Sequence, residues 1–254
     1  MKPSKFTTLL NVALAFTTLG IVTEKLEAGI STGLIQQAIN SGDPAAGRQL
    51  KSVVEAATLP LLKSETRAKL PGAFIPHLEL GYQVTDIKEE IVRNYTSNGS
   101  SPNYYHSIYG KGGVGLPFGF HVEGGLSQSI YDHHITSVYA SAGYQLLDLA
   151  GEIYFDLIPA LSVTGTFMRT FNKPEVMAFT AQSCLGIYHR QTNMQMSYIF
   201  QYTYAVMSAT EPYINKQFMR HGTALQIPFY QGLYVRNEIF FTTLSGAFSF
   251  GYQF

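Results

Sequence analysis

Charge is the first scarcity. Of 254 residues only 13% are Asp, Glu, Lys or Arg, about half the roughly 25% of an ordinary soluble domain. Long apolar runs are missing as well. Past residue 30 no stretch approaches the ~20 apolar residues that a membrane-crossing helix needs. Tryptophan is absent, so any aromatic belt has to be built from Tyr and Phe. A single cysteine, Cys184, excludes an internal disulfide framework, and its distance from the N-terminus excludes a lipid-attachment role. Acidic and basic residues number 17 each, for a formal charge of +0. No basic surface for nucleic acid follows from such a balance.

What is present fits one arrangement. Hydrophobic residues make up 46%, with 17 Tyr, 17 Phe and 23 Gly. Low charge without long apolar runs is expected of strands that face lipid with every second residue and a polar lumen with the others. The last nine residues, Gly246 to Phe254, show the pattern most plainly: Phe248, Phe250, Tyr252 and Phe254 alternate with small or polar residues.

From Phe74 onward the same period of two recurs. Leu78, Leu80, Tyr82 and Val84 oppose His77, Glu79 and Gln83; Phe120, Val122, Gly124 and Leu126 oppose His121, Glu123 and Ser127. Further rows start at Ile108, Val138, Leu161, Phe179, Met196, Met219 and Leu233, and with the C-terminal row they predict ten strands. The weakest boundary lies at Asp148 to Ile158, where Glu152 to Leu157 also alternates. Short links such as Leu116-Pro117-Phe118 alternate with long ones such as 86–104 and 207–216. Short periplasmic turns and long outer loops produce that asymmetry, with both ends of the barrel sequence inside.

Ahead of the barrel the chain changes twice. Met1 to Lys5 carries two lysines and Phe6 to Val22 is apolar, the shape of a secretory signal, with Leu26-Glu27-Ala28 as the best cleavage site. Residues 29–73 then read as a helical segment. Leu34, Ile35, Ala38 and Ile39 fall at helical spacing, Asp43-Pro44 is a helix start, and Leu50, Val53, Val54, Ala57 and Leu61 continue an apolar stripe. Plugging the lumen, lying on the inner membrane surface and docking a periplasmic partner are all compatible with this pattern.

With its signal-like start, ten alternating strands and aromatic C-terminal strand, the chain resembles a Gram-negative outer-membrane β-barrel protein over residues 74–254. The resemblance implies an up-and-down antiparallel barrel in the bacterial outer membrane, in contact with its lipid. It also implies that Phe248, Phe250, Tyr252 and Phe254 occupy the places read by the barrel-assembly machinery. It reaches the class and no functional family within it; the missing Ala-x-Ala and Trp are departures.

The inward positions carry what chemistry there is. Glu79, Glu123 and Glu238 face the lumen together with Lys111, Arg220 and Arg236. In a narrow barrel these acids and bases are expected to pair, because an isolated charge there loses water without compensation; as a constriction they would select small solutes. Barrels of this size fill with side chains, so an occluded or narrow lumen is expected. Outside, Asp132, His133 and His134 offer a general-base pair or two metal ligands, without an identifiable nucleophile or a third ligand. No enzyme activity, cofactor or metal is therefore expected. The expected role is a structural barrel or narrow passive pore. An adhesin or receptor acting through outer loops (Tyr95, Tyr104, Tyr105, Tyr131) and a surface hydrolase built on Asp132 and His134 are the alternatives.

Overall fold

The computed structural model describes residues 32–86, 104–130, 135–151, 155–171, 175–208 and 213–254. The secretory-signal reading of residues 1–28, the outer-loop candidates Asp132, His133 and His134, and Tyr95 and Tyr131 lie outside the described residues. Ten strands follow in order: β1 Pro76–Asp86, β2 Tyr104–Gly115, β3 Phe120–Ser129, β4 Thr136–Asp148, β5 Leu157–Thr170, β6 Glu175–His189, β7 Gln195–Ser208, β8 Ile214–Tyr230, β9 Leu233–Phe240 and β10 Ser245–Gln253. Each pairs antiparallel with its sequence neighbours, and β1 closes on β10 from His77↔Gln253 to Thr85↔Ser245. Closure removes every sheet edge, the condition for strands to cross hydrocarbon.

The predicted rows appear as strands with the faces assigned to them. Burial alternates along the barrel, with Glu79 and Gln83 buried and the intervening side chains less so. Outward rings and aliphatic chains are exposed at mid-strand: Phe250 and Leu126 are each 56% exposed, Phe200 47%. A continuous apolar exterior of this extent has no place in water. Closed, oily outside and polar inside, the chain is a transmembrane β-barrel. The uncertain stretch resolves in part: residues 155 and 156 are bends and β5 begins at Leu157. Register slips occur between Gln145 and Leu147 and between Pro228 and Tyr230, the latter where proline cannot donate to the ladder.

The segment before the barrel is helical as expected over its first part, takes the lumen-plugging placement among those left open, and departs from the helical expectation after Thr58. Two helices are present, α1 (Thr32–Asn40) and α2 (Pro44–Thr58). The Asp43 side chain accepts the Ala45 backbone N–H at 2.8 Å and Pro44 takes the first helical position. The helix stops at Thr58 although Leu61 extends its apolar stripe, because Pro60 cannot donate to the next turn and crowds the preceding one. Residues 59–70 instead run without regular structure down the lumen, all but Lys69 buried.

Wall side chains mark the descent. Leu59 O accepts from Gln83, Leu61 O from Ser137, Arg67 O from Ser162; Ala68 N donates to Ser197 and Leu70 N to Gln145. These partners step from the long-loop end of the barrel to the short-turn end. Helix α2 therefore sits at the long-loop mouth, with Leu50, Val53 and Val54 buried in a cluster with Tyr105, Val176, Met207 and Phe218. Tyr105, read from sequence as outer contact surface, is an inward core residue. If the short turns are periplasmic, as in barrels of this kind, the two helices are expected on the outer side.

An epitope inserted after Gly42, in the exposed link between the helices, is expected to bind antibody on intact cells; one in the β6–β7 turn at Asn193 is expected to bind only after the outer membrane is opened. The reverse pattern would invert the barrel.

Candidate functional site

All six charges assigned to the lumen from sequence lie there. Glu79, Lys111, Glu123, Arg220, Arg236 and Glu238 are buried on inward faces of β1, β2, β3, β8 and β9. They meet not only one another but three charges brought by the lumen segment: Lys63, Glu65 and Arg67.

Arg236 is the junction. Its Nη1 lies 3.1 Å from Glu79 Oε2, 3.4 Å from Glu65 Oε1 and 4.0 Å from Glu238 Oε1, while Nη2 donates to Gln226 at 2.8 Å. One guanidinium thus ties two wall strands to the segment they enclose, which its planar fork of donors permits and an ammonium would not. Glu65 Oε1 also accepts from the Arg67 backbone N–H and Nε at 3.0 and 2.9 Å. Glu79 accepts from Tyr109, Tyr234 and Ser249 hydroxyls at 3.3, 3.1 and 2.9 Å, so its desolvated charge is surrounded by donors. Thr66 donates to Glu238 at 2.6 Å.

Space for these side chains is made by glycine. Gly251 faces inward where a Cβ would stand 2.1 Å from the Tyr234 ring, so the ring lies flat on β10 with its hydroxyl at Glu79. The expected pairing of acids with bases is incomplete at two buried cations. Arg220 has no carboxylate partner among the described residues; it donates to Gln201 and stacks over the Phe240 ring, 4.0 Å from its centroid. Lys63 likewise rests over the Tyr109 ring at 4.4 Å. Among the buried described residues four carboxylates face five Lys and Arg cations.

The lumen is consequently filled through its middle. At the short-turn end it opens into a vestibule of about 240 Å³ lined by Arg67, Lys69, Leu70, Gln195, Gln226 and Gln253, where Lys69 pairs with Asp148. The vestibule ends at Arg67. Sequence reasoning places the wall charges but misses Lys63, Glu65 and Arg67, which carry no apolar pattern. Their one signal is alternation, with Lys63, Glu65, Arg67 and Lys69 at every second position after a proline stop.

Arg236→Met is expected to cost about 3–5 kcal/mol of unfolding free energy, the usual effect of stripping one partner from a buried ionic network. Arg169→Ala, at an exposed pair with Glu175, is expected to cost no more than about 1 kcal/mol. Denaturant titration of the refolded barrel in detergent micelles compares the two.

No family model matches the sequence, and no curated protein matches it. Among solved structures the chain is similar to a KdgM porin, at 9% identity over 70% of this chain and 99% of that one with a TM-score of 0.33. The β domain of the Bordetella autotransporter BrkA aligns at 9% identity over 71% and 98% of the two chains, TM-score 0.35. Ail, the attachment invasion locus protein of Yersinia pestis, aligns at 10% identity over 72% and 99% of the two chains, TM-score 0.24.

Proposed function

We propose that the protein is a non-enzymatic outer-membrane barrel kept closed by its own N-terminal segment, and that it passes small solutes only when that segment leaves the lumen. The carrying observation is the character of the interface between residues 59–70 and the wall. Gln and Ser side chains of the wall hydrogen-bond the segment's backbone, and Thr166, Glu238 and Arg236 meet its Ser64, Thr66 and Glu65 side chains. Such a wall accepts water in place of the segment, whereas an apolar filling would leave a dry cavity. The same wall charges would then line the open lumen and act on passing ions. Phe248, Phe250 and Tyr252 on β10, with Phe254 just past its end, would serve the barrel-assembly machinery during insertion.

Binding at the outer mouth is a second reading. It is favoured by the position of α1 and α2 at the long-loop end, where Arg48 and Lys51 point to solvent and Tyr104 and Tyr213 expose their rings. Deleting residues 32–58 would then abolish partner binding without opening the lumen.

Planar-bilayer recording separates the readings. The full-length protein is expected to be silent, and the form lacking residues 29–70, once shown to be folded and inserted, to give steady ion steps. A second variant of unchanged length, Glu65→Gln with Arg236→Met, is expected to flicker. Steady steps from the full-length protein, or silence from both inserted variants, would overturn the plugged-pore proposal.

A further inference from the structure

Four buried side chains at the short-turn half of the lumen converge and satisfy one another only in part. Glu65 comes from the lumen segment, His77 from β1, and His121 and Glu123 from β3. One ligand atom from each lies within 4.8 Å of all the others. Both nitrogens of His121, Nδ1 of His77 and Oε1 of Glu123 have no hydrogen-bond partner on the protein, while Glu65 Oε2 is held by the Arg67 guanidinium at 2.9 Å. Each of these side chains is at least nine-tenths buried: His121 and Glu65 are wholly enclosed and His77 is 1% exposed. A buried imidazole with both nitrogens unmatched forfeits the full desolvation cost of each, and native cores rarely tolerate this.

The backbone makes the convergence possible. Across three strands, His77 pairs with Gly113 and Gly113 with Glu123. Gly113 faces inward between them, and a Cβ there would lie 2.7 Å from His77 Cε1. Its missing side chain lets His77 Nε2 reach Glu123 Oε2 at 3.1 Å over the intervening strand. Next to them the His77 and His121 rings stack, centroids 5.2 Å apart at 24°.

We propose that Glu65, His77, His121 and Glu123 form a divalent transition-metal site, with zinc as the ion its donors suit best. Two imidazoles and two carboxylates supply four borderline-to-hard ligands for a tetrahedral ion. Bonds of about 2.0–2.1 Å put tetrahedral ligand atoms roughly 3.4 Å apart, so a present spread of up to 4.8 Å has only a short way to close. The metal replaces the proton shared by His77 Nε2 and Glu123 Oε2. Because Glu65 belongs to the lumen segment and the other three to the wall, one ion would clamp segment to barrel. The proposal rests on the placement of that segment and not on whether the lumen ever conducts.

Two neighbours oppose the ion. Lys111 Nζ lies 3.2 Å from Glu123 Oε2 and Arg67 Nη2 lies 2.9 Å from Glu65 Oε2, and among the buried described residues cations outnumber carboxylates. Repulsion from both lowers the affinity, and removal of the Lys111 ammonium should raise it.

The test is calorimetric titration of the untagged, refolded full-length barrel with zinc, with cobalt absorption spectra reporting the geometry. One zinc per chain is expected. His121→Ala and His77→Ala should each weaken binding at least tenfold, His189→Ala at the exposed turn should leave it unchanged, and Lys111→Gln should tighten it. Zinc should raise the thermal midpoint of the wild type and not of Glu65→Gln, whose folding is checked by heat-dependent gel mobility. Absence of stoichiometric binding to folded wild type, or binding insensitive to both lumen histidine changes, overturns the site. Zinc binding that survives Glu65→Gln with an undiminished thermal shift overturns the clamp. Bilayer silence or conductance leaves each of these results as it stands.

Discussion

A single buried guanidinium holds the interior together. Arg236 leaves β9 and reaches carboxylates on β1 and on the lumen segment within 3.4 Å of one nitrogen. Without the segment, Glu79 and Arg236 would still pair across the wall, but Lys63, Glu65 and Arg67 would have no reason to leave water. Taking such charges out of water costs several kcal/mol each, so the segment can lie in the lumen only where partners are already in place. The wall supplies them from strands far apart in sequence and adjacent through closure of β1 on β10.

A second constraint acts from outside. Lipid offers no hydrogen bonds, so the backbone of the wall is satisfied chiefly by neighbouring strands and polar side chains can be spent inward. The interior therefore has a surplus of hydroxyls and amides, and residues 59–70 use them in place of a partner strand. Gln145 illustrates the economy: its Oε1 accepts from Leu70 N and its Nε2 donates to Ala68 O. An extended segment can be held without joining the sheet, which would otherwise require an eleventh strand and a wider barrel.

The legibility of this architecture in the sequence divides along the same line. Strands are readable because a lipid face and a lumen face enforce a period of two, as at Leu78 to Val84 and Phe248 to Phe254. Parity alone places Glu79, Lys111, Glu123, Arg220, Arg236 and Glu238 inward. Parity cannot say who meets whom: Arg236 joins Glu65, 171 positions away, and Arg220 finds Gln201 and a ring in place of an acid. The segment at 59–70 reads wrongly as helical because its apolar stripe outlasts the helix, and Pro60 is the stop that the stripe conceals. The four-residue cluster is unreadable as a site. His77, His121 and Glu123 fall on inward positions, but Glu65 enters from another element, and Gly113 signals nothing in a strand pattern.

The central claim is that residues 59–70 lie inside the wall beside β5 at the level of Thr166. Ser64 Oγ and Thr166 Oγ1 are 2.8 Å apart, close enough for a pair of thiols at these positions to bridge. In a Cys184→Ser background, Ser64→Cys with Thr166→Cys in the inserted protein should form an intramolecular disulfide under mild oxidation, seen as protection of both thiols from alkylation in mass spectrometry. Two thiols that remain free, or a thiol introduced at position 64 that reacts with a membrane-impermeant maleimide as fast as one at an exposed position, would contradict the account.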